Sequence, residues 1–113
     1  MLRHVAAPGS VRVVHGGPLA EVALVGEVDI ATCPPLDDAV ARIARDGIEL
    51  LTLDLHDVTF LGSSGLASLL RAERVVRAEG GRIVLRAPSR AVSDLLEMTR
   101  LGDRFAVEDG PPT

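Results

Sequence analysis

The sequence predicts an α/β domain: a mixed β-sheet with its helices packed on one face, in the order β-β-α-β-α-β-α. Three observations carry this. Two apolar stretches at the start are joined by a glycine-proline turn; later apolar stretches of strand character alternate with segments of helical period; and the later strands start roughly 25–30 residues apart, the length of a right-handed crossover unit. With 113 residues the chain has room for one domain, residues 1–113, with a core over about 10–108.

Residues 11–15 alternate apolar and polar, Gly16, Gly17 and Pro18 supply a turn, and residues 19–25 continue as a largely apolar strand that ends at Gly26. Leu36, Ala39, Val40, Ile43 and Ala44 recur at helical spacing. Asp37 and Asp38 are expected in that helix's first turn, where the dipole favours carboxylates, and Gly47 suits the position just past its end. Residues 50–55 form a short strand with Leu51, Leu53 and Leu55 on its apolar face. After a loop over 56–61, a second helix runs from about Ser64 to Glu79 with Leu66, Leu69, Leu70 and Val76 as its buried stripe, and Gly80 and Gly81 end it. Residues 82–86 make the next strand, carrying Ile83 and Leu85. Pro88 and Ser89 open a third helix whose apolar face is Val92, Leu95, Leu96 and Thr99, closed by Gly102. Phe105, Ala106 and Val107 suggest a last short strand, and residues 109–113 a loose tail. Such sheets place binding loops at the carboxyl ends of their strands, here 26–32, 56–65 and 87–89.

Composition removes several function classes. The chain is 47% hydrophobic and 25% charged, as globular domains are, which excludes intrinsic disorder. Phe60 and Phe105 are the only aromatic residues, so no base-stacking platform can be built. The net charge of -4 has the wrong sign for a phosphate backbone, so nucleic acid is not an expected partner. Cys33 stands alone, which excludes an internal disulfide and a cysteine-rich zinc site. No window approaches the ~20 apolar residues that span a bilayer, and the first residues lack a signal-peptide core. The expected location is cytoplasmic, without a membrane partner, as a monomer or weak dimer. His4, His15 and His56 have no metal-ligand spacing, no phosphate-binding glycine loop is present, and no cofactor is implied.

The informative segment is Ser63-Ser64-Gly65, at a strand-to-helix junction. A serine there commonly caps the helix by accepting a hydrogen bond from a free N–H, worth about 1 kcal/mol. The flanking text, LDLHDVTFLGSSGL over residues 53–66, resembles the signature of the STAS family, the domain shared by sulfate transporters and anti-sigma factor antagonists. Gly26-Glu27-Val28-Asp29 is similar to the family's motif after its second strand, and Glu79-Gly80-Gly81-Arg82-Ile83 to its second-helix exit. The resemblance covers nearly the whole chain, and its standalone form is that of the anti-sigma factor antagonists.

The resemblance implies a non-enzymatic protein that binds an anti-sigma factor with serine kinase activity and is phosphorylated by it. The matching acceptor is Ser64, with Ser63 the alternative, since position alone does not separate them. The implied partner-binding residues are Glu27, Asp29, Thr32, Gly62, Ser63, Ser64, Gly65 and Leu66. Asp29 matches the family's loop carboxylate, against the plainer reading of a solvated aspartate, and Thr32 is also a candidate helix cap. Gly62 departs from the motif, which usually has Asp before the two serines. That departure keeps open a second reading, a STAS subunit of a transport complex or sensory scaffold that exchanges no phosphate.

Two further patterns have plainer readings. Arg71, Arg74 and Arg77 recur at threes, with Glu73 four residues before Arg77, which reads as a solvated helix face. Gly62, Ser63, Ser64 and Gly65, with His56 upstream, invite comparison with a nucleophile elbow. That motif is Gly-x-Ser-x-Gly and this chain gives Gly-x-Ser-Gly, so a hydrolase is not expected.

Overall fold

The computed structural model describes residues 9–15 and 17–108, so His4, Gly16 and the predicted tail lie outside the described residues. The chain forms β1 (Ser10–His15), β2 (Leu19–Val28), α1 (Cys33–Arg45), β3 (Leu50–Leu61), α2 (Ser63–Ala78), β4 (Arg82–Arg86), α3 (Arg90–Thr99), a 3-10 turn at Gly102–Arg104, and β5 (Ala106–Glu108). The strands lie in the order β1-β2-β3-β4-β5, antiparallel between β1 and β2 and parallel thereafter. The predicted mixed sheet and element order are therefore present. A sheet that adds each parallel strand on the same side through crossovers of one hand keeps all its helices on one face.

That face is the core. Val22, Leu24 and Val28 of β2, Leu51, Leu53 and Leu55 of β3, and Ile83 and Leu85 of β4 are buried against Leu36 and Val40 of α1, Leu69 and Val76 of α2, and Val92 of α3. Each fully buried leucine or valine contributes about 1.5–3 kcal/mol of burial free energy. The opposite face is only partly covered. On it Arg86 reaches Glu21 at 3.0 Å and Glu108 at 3.3 Å. The hydrogen bond with Glu21 raises the Arg86 pKa above arginine's ordinary value, against a lowering by burial.

Four expectations need correction. First, β2 continues past Gly26 to Val28, and the expected loop over 56–61 is the second half of β3. Two residues of β2 face three of β3 between Ala23–Asp54 and Val25–Asp57, and one faces two between Gly26–Val58 and Glu27–Phe60. Each extra residue is a bulge that shifts the inward-outward alternation, so β3 buries Leu55, then Val58, then Leu61, and loses period two. Second, α1 begins at Cys33, so Asp37 and Asp38 fall beyond its first turn; Pro34 and Pro35 are tolerated there because the first helical N–H groups have no partner in the helix. Third, α2 buries Ser68 and Glu73 along with Leu66, Leu69 and Val76, while Leu70 is half-buried. Fourth, α3 ends at Thr99 and is capped by Arg100, whose φ is 59°, and Gly102 belongs to the following turn; Thr99 is exposed and its hydroxyl donates back to the Leu95 carbonyl at 2.8 Å.

Candidate functional site

The pairing of β3 with β4 ends at Asp54–Arg86, whereas its pairing with β2 continues to Val28–Leu61. The two central strands thus extend past the end of β4 and carry the loop after β2 and the start of α2 at their tip. The third predicted loop is not part of this. Ser89 N–H donates to the Leu55 carbonyl at 3.3 Å, six residues before Leu61 and therefore roughly 15–20 Å down the strand. Of the three loops expected at the strand ends, two converge and 87–89 stays apart.

The tip is tied together across the chain. Gly62 N–H donates to the Val28 carbonyl at 3.0 Å. The buried Cys33 sulfur lies 3.1 Å from the Asp29 carbonyl and 3.2 Å from the Ser64 carbonyl, so its one proton is shared between two acceptors and bridges the β2 loop and the first turn of α2. Asp29 builds that loop: its carboxylate accepts from Ala31 N–H at 3.1 Å and its carbonyl from Thr32 and Cys33 N–H. Its side chain is half-buried and locally engaged, not free in solvent as a plain loop aspartate is.

Thr32 occupies the N-cap position of α1 without a side-chain capping bond. Its hydroxyl instead donates to the Glu27 carbonyl at 2.9 Å, and the residue is 2% exposed. Gly65 and Leu66 are also buried; a Cβ on Gly65 would come within 2.5 Å of the Val28 carbonyl oxygen and 2.7 Å of Leu61 Cδ1. Thr32, Gly65 and Leu66 therefore shape the tip from beneath and present little side-chain surface of their own. Glu27 and Gly62 are half-buried, Glu27 lying in β2 and not in a loop.

Neither serine is a cap. The N-cap of α2 is Gly62, in extended conformation, and it offers no side chain. The first bond of the helix runs from Leu66 N–H to the Gly62 carbonyl, which leaves the N–H groups of residues 63–65 as the unpaired donors of a helix start. Ser63 is exposed, Ser64 is half-buried, and no hydrogen bond of either hydroxyl is present among the described residues. His56 pairs with its neighbour Asp57 at 3.1 Å, both well exposed, and with neither serine.

Sequence reasoning missed three features here. The Cys33 link joins residues 31 positions apart, so no local pattern announces it. Phe60, past the second bulge of β3, is 52% exposed, and Ile30, in the turn after β2, is 78% exposed. In the second half of α2, the arginine stripe is only partly a solvated face: Arg71 pairs with Asp37 of α1 at 3.0 Å, while Glu73, 4% exposed, pairs with Arg77 and with Arg104 at 3.8 Å. Among the described residues no helix is long and apolar enough to cross a membrane, and no group of three or more histidine, cysteine or acidic residues is placed to hold a metal ion.

A five-stranded mixed sheet with its helices on one face and a serine pair at the mouth of the second crossover helix defines a class, the STAS domains. The family described as "Mlab, STAS domain" matches residues 12–108, and this chain belongs to it. An anti-sigma-B factor antagonist of Staphylococcus aureus is 26% identical over 90 residues, covering 80% of this chain and 83% of that protein. The crystal structure of an anti-sigma factor antagonist from Mycobacterium paratuberculosis superposes with a TM-score of 0.80 at 28% identity, covering 94% of this chain and 92% of that one. The Bacillus cell fate determinant SpoIIAA in its phosphorylated form shares the fold, with a TM-score of 0.71 at 19% identity and 92% coverage of both chains.

Proposed function

We propose that this protein is a cytoplasmic, non-enzymatic anti-sigma factor antagonist. Unphosphorylated, it binds an anti-sigma factor that has serine kinase activity and so releases the sigma factor; phosphorylation at Ser64, or alternatively Ser63, switches binding off. Glu27, Asp29, Gly62, Ser63 and Ser64 are the residues of the tip that meet the partner. The observation that carries this reading is the pair of serine hydroxyls that have no partner among the described residues at the start of α2, on a chain whose relatives bear this name.

The physics of the switch follows from that placement. A phosphate adds roughly -1.5 to -2 charges, and a helix start accepts it through its free N–H groups and dipole without unfolding the domain. Inside a docked interface the same dianion without a partner costs several kcal/mol, and 1.4 kcal/mol is already tenfold in affinity.

The test is incubation with the kinase-fold anti-sigma factor of the same cell and ATP, read by mass spectrometry. Phosphate is expected on Ser64 and absent in Ser64→Ala, which retains its melting temperature. Ser64→Glu binds the anti-sigma factor more weakly; equal affinity overturns the switch. The competing reading, a subunit of a transport complex or sensory scaffold, is favoured by Gly62, which puts no carboxylate beside the serines. An absence of phosphate uptake together with absence of binding selects it.

A further inference from the structure

Arg71 is the first Lys or Arg of the chain after Arg45. It follows Ser64 by seven positions on α2, and seven residues fall about 20° short of two full turns, so both side chains leave the same flank of the helix, about 10.5 Å apart along its axis. That flank faces α1. Ser68, between the two, donates to Asp37 at 3.0 Å, Arg71 pairs with the same carboxylate at 3.0 Å, and the Cys33 sulfur stands 3.2 Å from the Ser64 carbonyl. The guanidinium has room to move, because Arg71 lines a cavity of about 300 Å³ between α1 and α2, together with Asp37, Asp38, Val40 and Val75.

The arginine also points the right way. Side chains on a helix lean toward its N-terminus, and Arg71 Nη2 donates to Ser68 Oγ at 2.8 Å, three residues back. Ser64 lies one further turn back, about 6 Å along the axis. A phosphate on Ser64 narrows that gap from the other side, since its oxygens stand beyond the hydroxyl. Ser63 does not share this geometry: it is exposed, eight residues before Arg71 and about 80° away around the helix.

The pair that now holds the guanidinium is a weak competitor. Its side chains are 45% and 37% exposed, and ion pairs so open to solvent contribute little. A phosphate brings more charge than a carboxylate, and the planar guanidinium matches it with two parallel hydrogen bonds. The other charged groups carried by the elements around Ser64 are mainly carboxylates: Glu27 of β2, Asp29 after it, Asp37 and Asp38 of α1, and, further down β3, Asp57 with its neighbour His56. Each carboxylate repels a dianion, and Arg71 is the arginine placed to offset them.

We propose that Arg71 receives the phosphate of Ser64: the guanidinium exchanges Asp37 and Ser68 for the dianion and holds the new charge against the flank of α2 that faces α1, whereas a phosphate on Ser63 is not held. This rests on the function proposed above for the presence of the phosphate, but the exchange of partners is tested without the anti-sigma factor.

Phosphoserine is placed genetically at residue 64 of the full chain, or at residue 63, in the wild type and in Arg71→Gln and Arg71→Lys, with thermal melting as the check on folding. Phosphorus NMR then follows the second ionisation of the phosphate. A cation beside it favours the dianion, so at residue 64 the second acid dissociation constant is expected to be at least about threefold larger in the wild type than in Arg71→Gln, with Arg71→Lys recovering part of the difference. At residue 63 the same substitution is expected to change it by less than about 1.3-fold. Equal constants at residue 64 in the wild type and Arg71→Gln overturn the proposal, as does an equal change at both serines, which would mark a diffuse field. The Arg71 Nε–H signal of the wild type gives a reading that needs no variant: it is expected to shift between serine and phosphoserine at residue 64, and an unmoved signal overturns the exchange. If the anti-sigma factor and ATP put no phosphate on the chain while the threefold difference is present, the function above falls and Arg71 stands as a phosphate receptor. Uptake at Ser64 with equal constants keeps the switch and removes Arg71 from it.

Discussion

The two halves of α2 are built from opposite chemistry although they belong to one helix. Its first half, Ser63 through Leu70, has no charge, offers the Ser63 and Ser64 hydroxyls without a partner among the described residues, and is fixed by close backbone approach at Gly65 and by the Cys33 thiol. Its second half carries Arg71, Glu73, Arg74 and Arg77. Three of these are committed: Arg71 to Asp37 and Ser68, and Glu73 to Arg77 and Arg104. Charge in this helix serves the fold, where it links α2 to α1 and to the turn before β5. In the first half only Ser68 spends its hydroxyl internally, donating to Asp37 at 3.0 Å, while the Ser63 and Ser64 hydroxyls have no partner among the described residues.

Several substitutions can break or sharpen that contrast. The largest effect is expected at Gly65→Ala, where the new methyl meets the Val28 carbonyl and the Leu61 and Val28 side chains at under 3 Å. Overpacking of a core in this way costs about 1–3 kcal/mol, and backbone contact puts this site at the upper end. Denaturant melts measure it, and a loss under about 1 kcal/mol would show that the tip yields more readily than its packing indicates.

Next comes Glu73→Ala, expected to lose about 1–2 kcal/mol in the same melts. Removing one partner of a fully buried ion pair costs more, but Arg77 and Arg104 keep more than half of their side-chain surface in solvent and rehydrate. Phosphate uptake at Ser64 is expected to be unchanged, since Glu73 acts on the other half of the helix. A change in uptake would join the two halves functionally.

Cys33→Ala removes a weak donor from the Asp29 and Ser64 carbonyls and is expected to cost below about 1 kcal/mol. Its signature is local: faster amide exchange at residues 66–68, the first bonded amides of α2, without a matching change at residues 74–78. Uniform exchange along α2 would mean that the thiol does not pin the tip. The smallest effect is Arg74→Glu, on the exposed face with no ion pair among the described residues. Stability should move by less than about 0.5 kcal/mol and anti-sigma factor affinity by less than twofold. A larger loss of affinity would extend the docking surface onto the charged half.

The site was partly legible before the fold was known. Ser63 and Ser64 are readable because a strand-like run meets a helical period at a glycine, and Asp29 because it follows a motif of the same family. Their neighbours were only partly readable. Leu66 is buried as its place in the helical stripe predicts, but Thr32 looks like an ordinary surface residue in one dimension and is buried, because the end of β2, the start of α1 and the start of α2 converge on one point. The two bulges in β3 hid the strand's second half, since each resets the alternation by which strands are recognised.

Local pattern alone determined the order of elements and most of the core. The alternation in Val22 and Leu24, in Leu51, Leu53 and Leu55, and in Ile83 and Leu85 leaves each strand one apolar face, and an apolar face must be covered. Only tertiary structure decided which polar groups remain free. Glu73 is consumed by Arg77 and Arg104, the Asp29 carboxylate by its own turn, and the Thr32 hydroxyl by Glu27, while the Ser63 and Ser64 hydroxyls have no partner among the described residues. The bonds of Asp29, Thr32 and the Glu73–Arg77 pair are local in sequence, but the burial of Glu73 beside Arg104 and of Thr32 and the Cys33 thiol beside the start of α2 is settled by neighbours distant in sequence, which no period along the chain encodes.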